Sequence, residues 1–159
     1  MERFMLEKQI AKTIIAPVDL NTADNTGLRV DMKNLRRCTF LVILAAGTTT
    51  AAHLLTLKQH TVASAGTPAD LSVAHPYYHK VGAATSYTKV DVTTAAAAYD
   101  LHTLLRNSVA VVAFEVLAED LTEGYRYVSL DIADAGGSQI GTVIALGESE
   151  FNPAYDQIV

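Results

Sequence analysis

Two strongly apolar runs constrain this chain more than any other feature. Thr39-Phe-Leu-Val-Ile-Leu-Ala and Val109-Ala-Val-Val-Ala-Phe-Glu-Val-Leu are too short for typical helices and rich in β-formers. Runs of this kind suit strands buried on both faces. The first also reads like an export signal, with Lys33, Arg36 and Arg37 as a basic region and small residues up to Ala52 as a cleavage site. It begins well inside the chain, so the strand reading is preferred and export by this segment is not expected.

The surrounding pattern extends that reading. Gly47 and the threonines after it mark a turn, and Leu54-Leu-Thr-Leu-Lys-Gln follows as a second strand, which makes a hairpin of the two. Upstream, Leu28, Val30 and Met32 alternate with Arg29, Asp31 and Lys33. Asp70 to Ala74 is a short strand before Pro76, and Tyr87 to Val92 another. After the turn "AEDLTEG", the segment "YRYVSLDI" alternates, with Val128, Leu130 and Ile132 inward. "ADAGGSQ" is then a hairpin turn, and Ile140 to Leu146 returns. The expected fold is all-β: a single-domain antiparallel β-sandwich or jelly roll of about eight strands, spanning residues 21–159. The expected core comprises Phe40, Val42, Leu44, Val111, Phe114, Val116, Val128, Leu130 and Ile132.

Two segments depart from the strand pattern. Residues 1–20 form an N-terminal arm or short helix, because Leu6, Ile10 and Ile14 recur four apart before Pro17. Thr94 to Leu105 reads as a short helix capped by Thr94, or else as a loop entering a strand; helix is preferred.

Composition narrows the function. The chain has 159 residues and a net charge of −5. Residues 1–37 carry seven Lys and Arg against five acids, and the remainder five against twelve, so the charges are +2 and −7. A body that acidic is a poor nucleic-acid partner. No apolar run approaches the ~20 residues of a membrane helix, so no membrane partner is expected. The lone cysteine, Cys38, excludes an internal disulfide. Arg36 and Arg37 could activate it, but a buried inert thiol is the better reading.

No catalytic motif emerges. His75 and His79 are spaced as two metal ligands on a helix face, but Pro76 opposes a helix there. "DLNTADNTG" is rich in oxygen ligands yet lacks the glycine and bidentate glutamate of a calcium loop. It reads as a turn built on Asn and Asp. Glu119, Asp120 and Glu123 cluster at what reads as a solvated corner. No cofactor, metal or enzymatic activity is expected. A sugar-binding sandwich normally shows exposed aromatics, often Trp, and this chain has no Trp.

The segments "NTADNTGLRVDMKNLRRCTFLVILAAG", "LLTLKQHTVAS", "YTKVDV" and "FEVLAEDLTEGYRYVSLDIADAG" resemble small virion structural proteins of tailed bacteriophages, over roughly residues 20–147. The resemblance implies a non-catalytic capsid decoration, or cement, protein located in the virion. The alternatives are another head or tail component and a ligand-binding sandwich. It implies the major capsid protein or another virion protein as partner, with a homo-oligomer expected. The assembly contact is expected at Phe4, Met5, Leu6, Ile10 and Ile14 of the N-terminal arm, which precedes the segments that resemble such proteins.

Overall fold

The computed structural model describes residues 9–48, 53–100, 105, 107–134 and 136–149. The chain is all-β, built from two antiparallel sheets packed as a sandwich. The larger sheet holds β1 (Gln9–Asp19), β3 (Leu35–Leu44), β6 (Tyr77–Val81), β7 (Thr88–Val90), β9 (Ala110–Leu117) and β11 (Ile140–Ser149), in the order β1-β11-β3-β9-β6-β7. The smaller holds β2 (Val30–Asp31), β4 (Leu54–His60), β5 (Ala69–Asp70) and β10 (Tyr127–Ile132), in the order β2-β10-β4-β5, with β8 (Ala98–Asp100) also paired to β4. Among the described residues, eleven strands replace the expected eight, because edges are made of pieces only two or three residues long.

The core lies between the sheets. From the larger sheet come Cys38, Phe40, Val42 and Leu44 of β3, Val112, Phe114 and Val116 of β9, and Val143 of β11. Leu55 and Leu57 of β4 oppose them with Val128, Leu130 and Ile132 of β10. Tyr77 stacks on Phe114 with ring centroids 5.1 Å apart, and Tyr99 meets the same ring at 5.0 Å. The Tyr99 hydroxyl donates to the Val73 carbonyl at 3.1 Å, so the buried phenol is satisfied.

Several expectations are corrected. The helical stripe is a strand over the described residues: β1 pairs with β11 along its length, and Ile10 and Ile14 enter the chain's own core. A spacing of four is even, so it keeps residues on one face of a strand as well as of a helix. Register shifts around Ile15 put both Ile14 and Ile15 inside. The helix expected from Thr94 to Leu105 is also overturned over its described part: Ala98 to Asp100 pair with β4, where Tyr99 is buried, and residues 101–104 lie outside the described residues.

Neither expected hairpin forms. β3 and β4 lie in different sheets, as do β10 and β11. The connections 45–53 and 133–139 exceed the roughly 2–5 residues of a tight hairpin, and each carries the chain across the sandwich. In β9 the inward residue is Val112, with Val111 on the opposite face. Leu28 is solvent-exposed, whereas Asp31, expected outside, is buried.

Candidate functional site

The histidines singled out by spacing do not converge. His75 Nε2 lies 3.0 and 2.8 Å from the two carboxylate oxygens of Asp120. Asp120 Oδ2 also accepts the backbone N–H of Leu117 at 2.7 Å. The pair fastens the loop before β6 to the corner after β9. His79 does not join it: it sits on β6 with its ring centroid 6.5 Å from Tyr77. Among the described residues, no three His, Cys, Asp or Glu side chains converge as a metal site.

Asp19 organises the segment expected to be a turn. Its carboxylate accepts from Asn21 N at 3.2 Å, Ser138 Oγ at 2.7 Å and Gln139 N at 3.2 Å. The Ser138 hydroxyl is the main reason its pKa lies below the ordinary carboxylate value. Those oxygens are occupied by donors of the chain itself, in agreement with a structural turn. Cys38 is fully buried, and desolvation pushes its thiol up to about 12. It remains a thiol at any physiological pH.

Two buried polar groupings were not foreseen. His53 Nε2 meets Gln139 Oε1 at 2.9 Å, and Gln139 donates to the carbonyls of Ala45 at 2.7 Å and Ser108 at 3.2 Å. His60 Nε2 meets Ser129 Oγ at 2.9 Å, with both residues buried. Neither serine nor histidine there is open to a substrate, so the pair is a fastening rather than a nucleophile and its base.

The expected assembly residues divide. Phe4, Met5 and Leu6 lie outside the described residues. Ile10 and Ile14 are enclosed by the sandwich, Ile14 at 2% exposure, so neither is available to another chain.

A different surface stands out. The outward side chains of the larger sheet are apolar across its middle. Ile144, Leu41, Ala113 and Tyr78 form one cross-strand row, and Thr142, Ile43, Val111 and Lys80 the next. At the end of the sheet, Ile140 and Val109 continue the same alternation at 54% and 55% exposure. Tyr78 is 37% exposed. On the smaller sheet, the outward positions of the paired strands β4 and β10 are mixed: Thr56, Lys58 and Asp131 are polar, Leu54 is exposed, and Ser129 and His60 are buried.

The apolar runs of β3 and β9 therefore have the composition of doubly covered strands, but on their outer side the residues are only half-buried. This is a correction to the expected burial on both faces, and it locates the surface. The signal was present in Leu41, Ile43 and Val111, which are apolar where the smaller sheet carries Thr and Lys.

No protein-family model matches the chain, and no curated protein matches it by sequence. Among solved structures it is similar to the crystal structure of an SPBc2 prophage-derived protein, YomS. That similarity spans 94% of this chain and 100% of the other, at a TM-score of 0.47 and 12% identity. A likeness at that level carries no argument about fold or function.

Proposed function

We propose that this protein is a non-catalytic structural component of a tailed-phage virion, of the capsid-decoration type. The observation that carries the reading is the apolar outer face of the larger sheet. A contiguous apolar face, half-buried at its middle and exposed at Ile140, Val109 and Tyr78, marks a protein contact. A sandwich that presents such a face is a rigid body made to be covered by protein. The sequence resemblance to small virion proteins supplies the setting, and the major capsid protein or another virion protein is the partner.

The polar groups in and around the sandwich support the same reading. His75, Asp120, Asp19, His60 and Gln139 spend their hydrogen bonds on loops and strand ends. No substrate, cofactor or metal is needed for the role. Bridging between shell subunits adds binding free energy to the assembled state, which raises its resistance to disassembly.

The test is to mix the full chain with undecorated phage heads and measure occupancy by cryo-electron microscopy and quantitative mass spectrometry. Symmetric, saturable occupancy and a raised temperature of head disruption are expected. Absence from heads, with recovery in purified tails, would move the protein to a tail role. Absence from both would end the virion reading.

A further inference from the structure

We infer that the outer face of the larger sheet is a homotypic interface, covered by a second copy of this chain about a two-fold axis. The inference rests on reading that face as an assembly surface, and it names the occupant.

The charges on the face favour a second copy. At one corner, Arg37 lies between two glutamates: its Nε is 2.6 Å from Glu148 and its Nη1 is 3.6 Å from Glu115. One cation against two carboxylates leaves that corner with a net charge of −1. Diagonally across, on β6, Lys80 faces outward with no acidic partner among the described residues. Leu41, Ile43, Val111 and Ala113 lie between the two corners. A two-fold axis lying in the interface, across the line joining the corners, sets each Lys80 over the partner copy's glutamate corner. It does so twice, and it brings the apolar residues near the middle of that line, Leu41 among them, against the partner copy's apolar residues. A surface whose opposite corners carry opposite charge is self-complementary, which is the requirement of an isologous contact.

The area of the face fits the same occupant. The strands from β1 to β6 cover about 24 Å at the usual inter-strand spacing, and the rows from Arg37 to Ala45 about 27 Å along the strands. The footprint is then about 650 Å² per copy, near the roughly 800 Å² per partner of a stable interface. A face-to-face contact between two sheets of this size would bury it.

The experiment is sedimentation equilibrium of the full chain across a concentration series, with each variant checked for fold by circular dichroism and thermal melting. The wild type should be a dimer at tens of micromolar. Leu41→Glu, at the centre of the face, should be monomeric. Because that change could also disturb the fold, Val109→Glu at the exposed rim provides a second variant that should melt like wild type and still dissociate. Lys80→Glu alone should weaken the dimer about ten-fold through like-charge contact. Combining it with Glu148→Lys should restore most of that loss.

A wild type monomeric at every concentration would overturn the inference. So would a dimer untouched by Val109→Glu and by Leu41→Glu in folded protein. If the chain is monomeric yet coats phage heads, and Val109→Glu prevents coating, the homotypic interface is wrong and the virion role stands. If the chain dimerises through this face but never binds particles, the interface stands and the virion role is wrong.

Discussion

Arg126 grips Asp31 through two nitrogens, Nε to Oδ1 at 2.7 Å and Nη2 to Oδ2, and so ties the start of β10 to β2. Asp31 is only 7% exposed, although its place in an alternating run marks it for solvent. The Arg126 guanidinium also lies 5.3 Å from the centre of the Tyr127 ring. Burial alone would raise the Asp31 pKa. The hydrogen bonds from Arg126 and from the Lys33 backbone, with the charges of both residues, outweigh burial and hold it below the ordinary value.

A carboxylate with a depressed folded pKa stabilises the fold above its unfolded pKa of about 3.9, and that contribution is lost as pH falls through the folded value. Asp31→Asn should therefore melt several degrees below wild type at pH 7. The gap should narrow once the pH is well below 4. Thermal melts of both proteins across pH 2–7 check this, and a gap that stays constant with pH would show that the charge of Asp31 is not what matters.

Leu130 faces the core with no exposure, opposite Leu57 of β4. Truncation to alanine should cost about 2–5 kcal/mol, from lost transfer free energy and the cavity left in a close-packed layer. Urea denaturation with an unchanged slope against denaturant would measure it. A loss below about 0.5 kcal/mol would be surface-like and would contradict the strand register.

Gly27 is required for want of space. A Cβ there would lie 2.3 Å from the carbonyl oxygen of Leu130 and 3.3 Å from Ile14 Cδ1. Its N–H also donates to Asp131 Oδ1 at 3.0 Å. Gly27→Ala must push β10 away from the incoming chain, at a cost of about 1–3 kcal/mol. Gly124→Ala is the contrast. It meets no atoms, but its φ of +88° makes the change a matter of backbone strain alone. Urea denaturation of the two variants checks this, and a Gly27→Ala protein as stable as wild type would contradict the close approach.

The sequence was most legible where one period left no competing solution. Alternation in "YRYVSLDI" placed Val128, Leu130 and Ile132 inside, where they are. It misled where two periods coincide, as with Ile10 and Ile14, since four residues return to the same face in either geometry. Partner choice was not legible at all. Turn residues after Ala45 and Ile132 promised hairpins, but turn chemistry reports a reversal of direction and not the sheet that receives the next strand. The apolar face was visible in composition and hidden in meaning, because a fully apolar strand reads identically whether its second cover comes from its own chain or from another.

The pairing of β1 with β11 decides what truncation does. A chain starting at Asp19 would fold if residues before it were an arm. Instead it would lose most of β1, uncover the edge of β11, and remove Ile10, Ile14 and Ile15 from the core. Such a chain should lack a cooperative melt and aggregate through the freed edge. The single change Ile14→Ala should cost about 2–4 kcal/mol in the full chain. Native-like dispersion in the NMR spectrum of the truncated protein would refute this.

His60 should make the fold sensitive to mild acid. The side chain is buried, and desolvation, followed by the charges of Arg29 and Lys58, lowers its pKa to about 4. Its Nε2 is bonded to Ser129, while Nδ1 has no hydrogen-bond partner among the described residues. The unfolded chain binds a proton at His60 below about pH 6.5, and the folded chain does so only near pH 4. Between those values the unfolded state holds more protons, so stability falls as pH drops, by up to about 3 kcal/mol over the window. Below pH 4 both states are protonated and this contribution stops changing. His60→Gln keeps a polar group beside Ser129 and cannot titrate. It should flatten the stability curve between pH 6.5 and 4 while leaving the steeper carboxylate-linked loss at lower pH. Chemical denaturation at half-unit pH steps decides the matter. A variant whose curve runs parallel to wild type through that window would show that the acid sensitivity originates elsewhere.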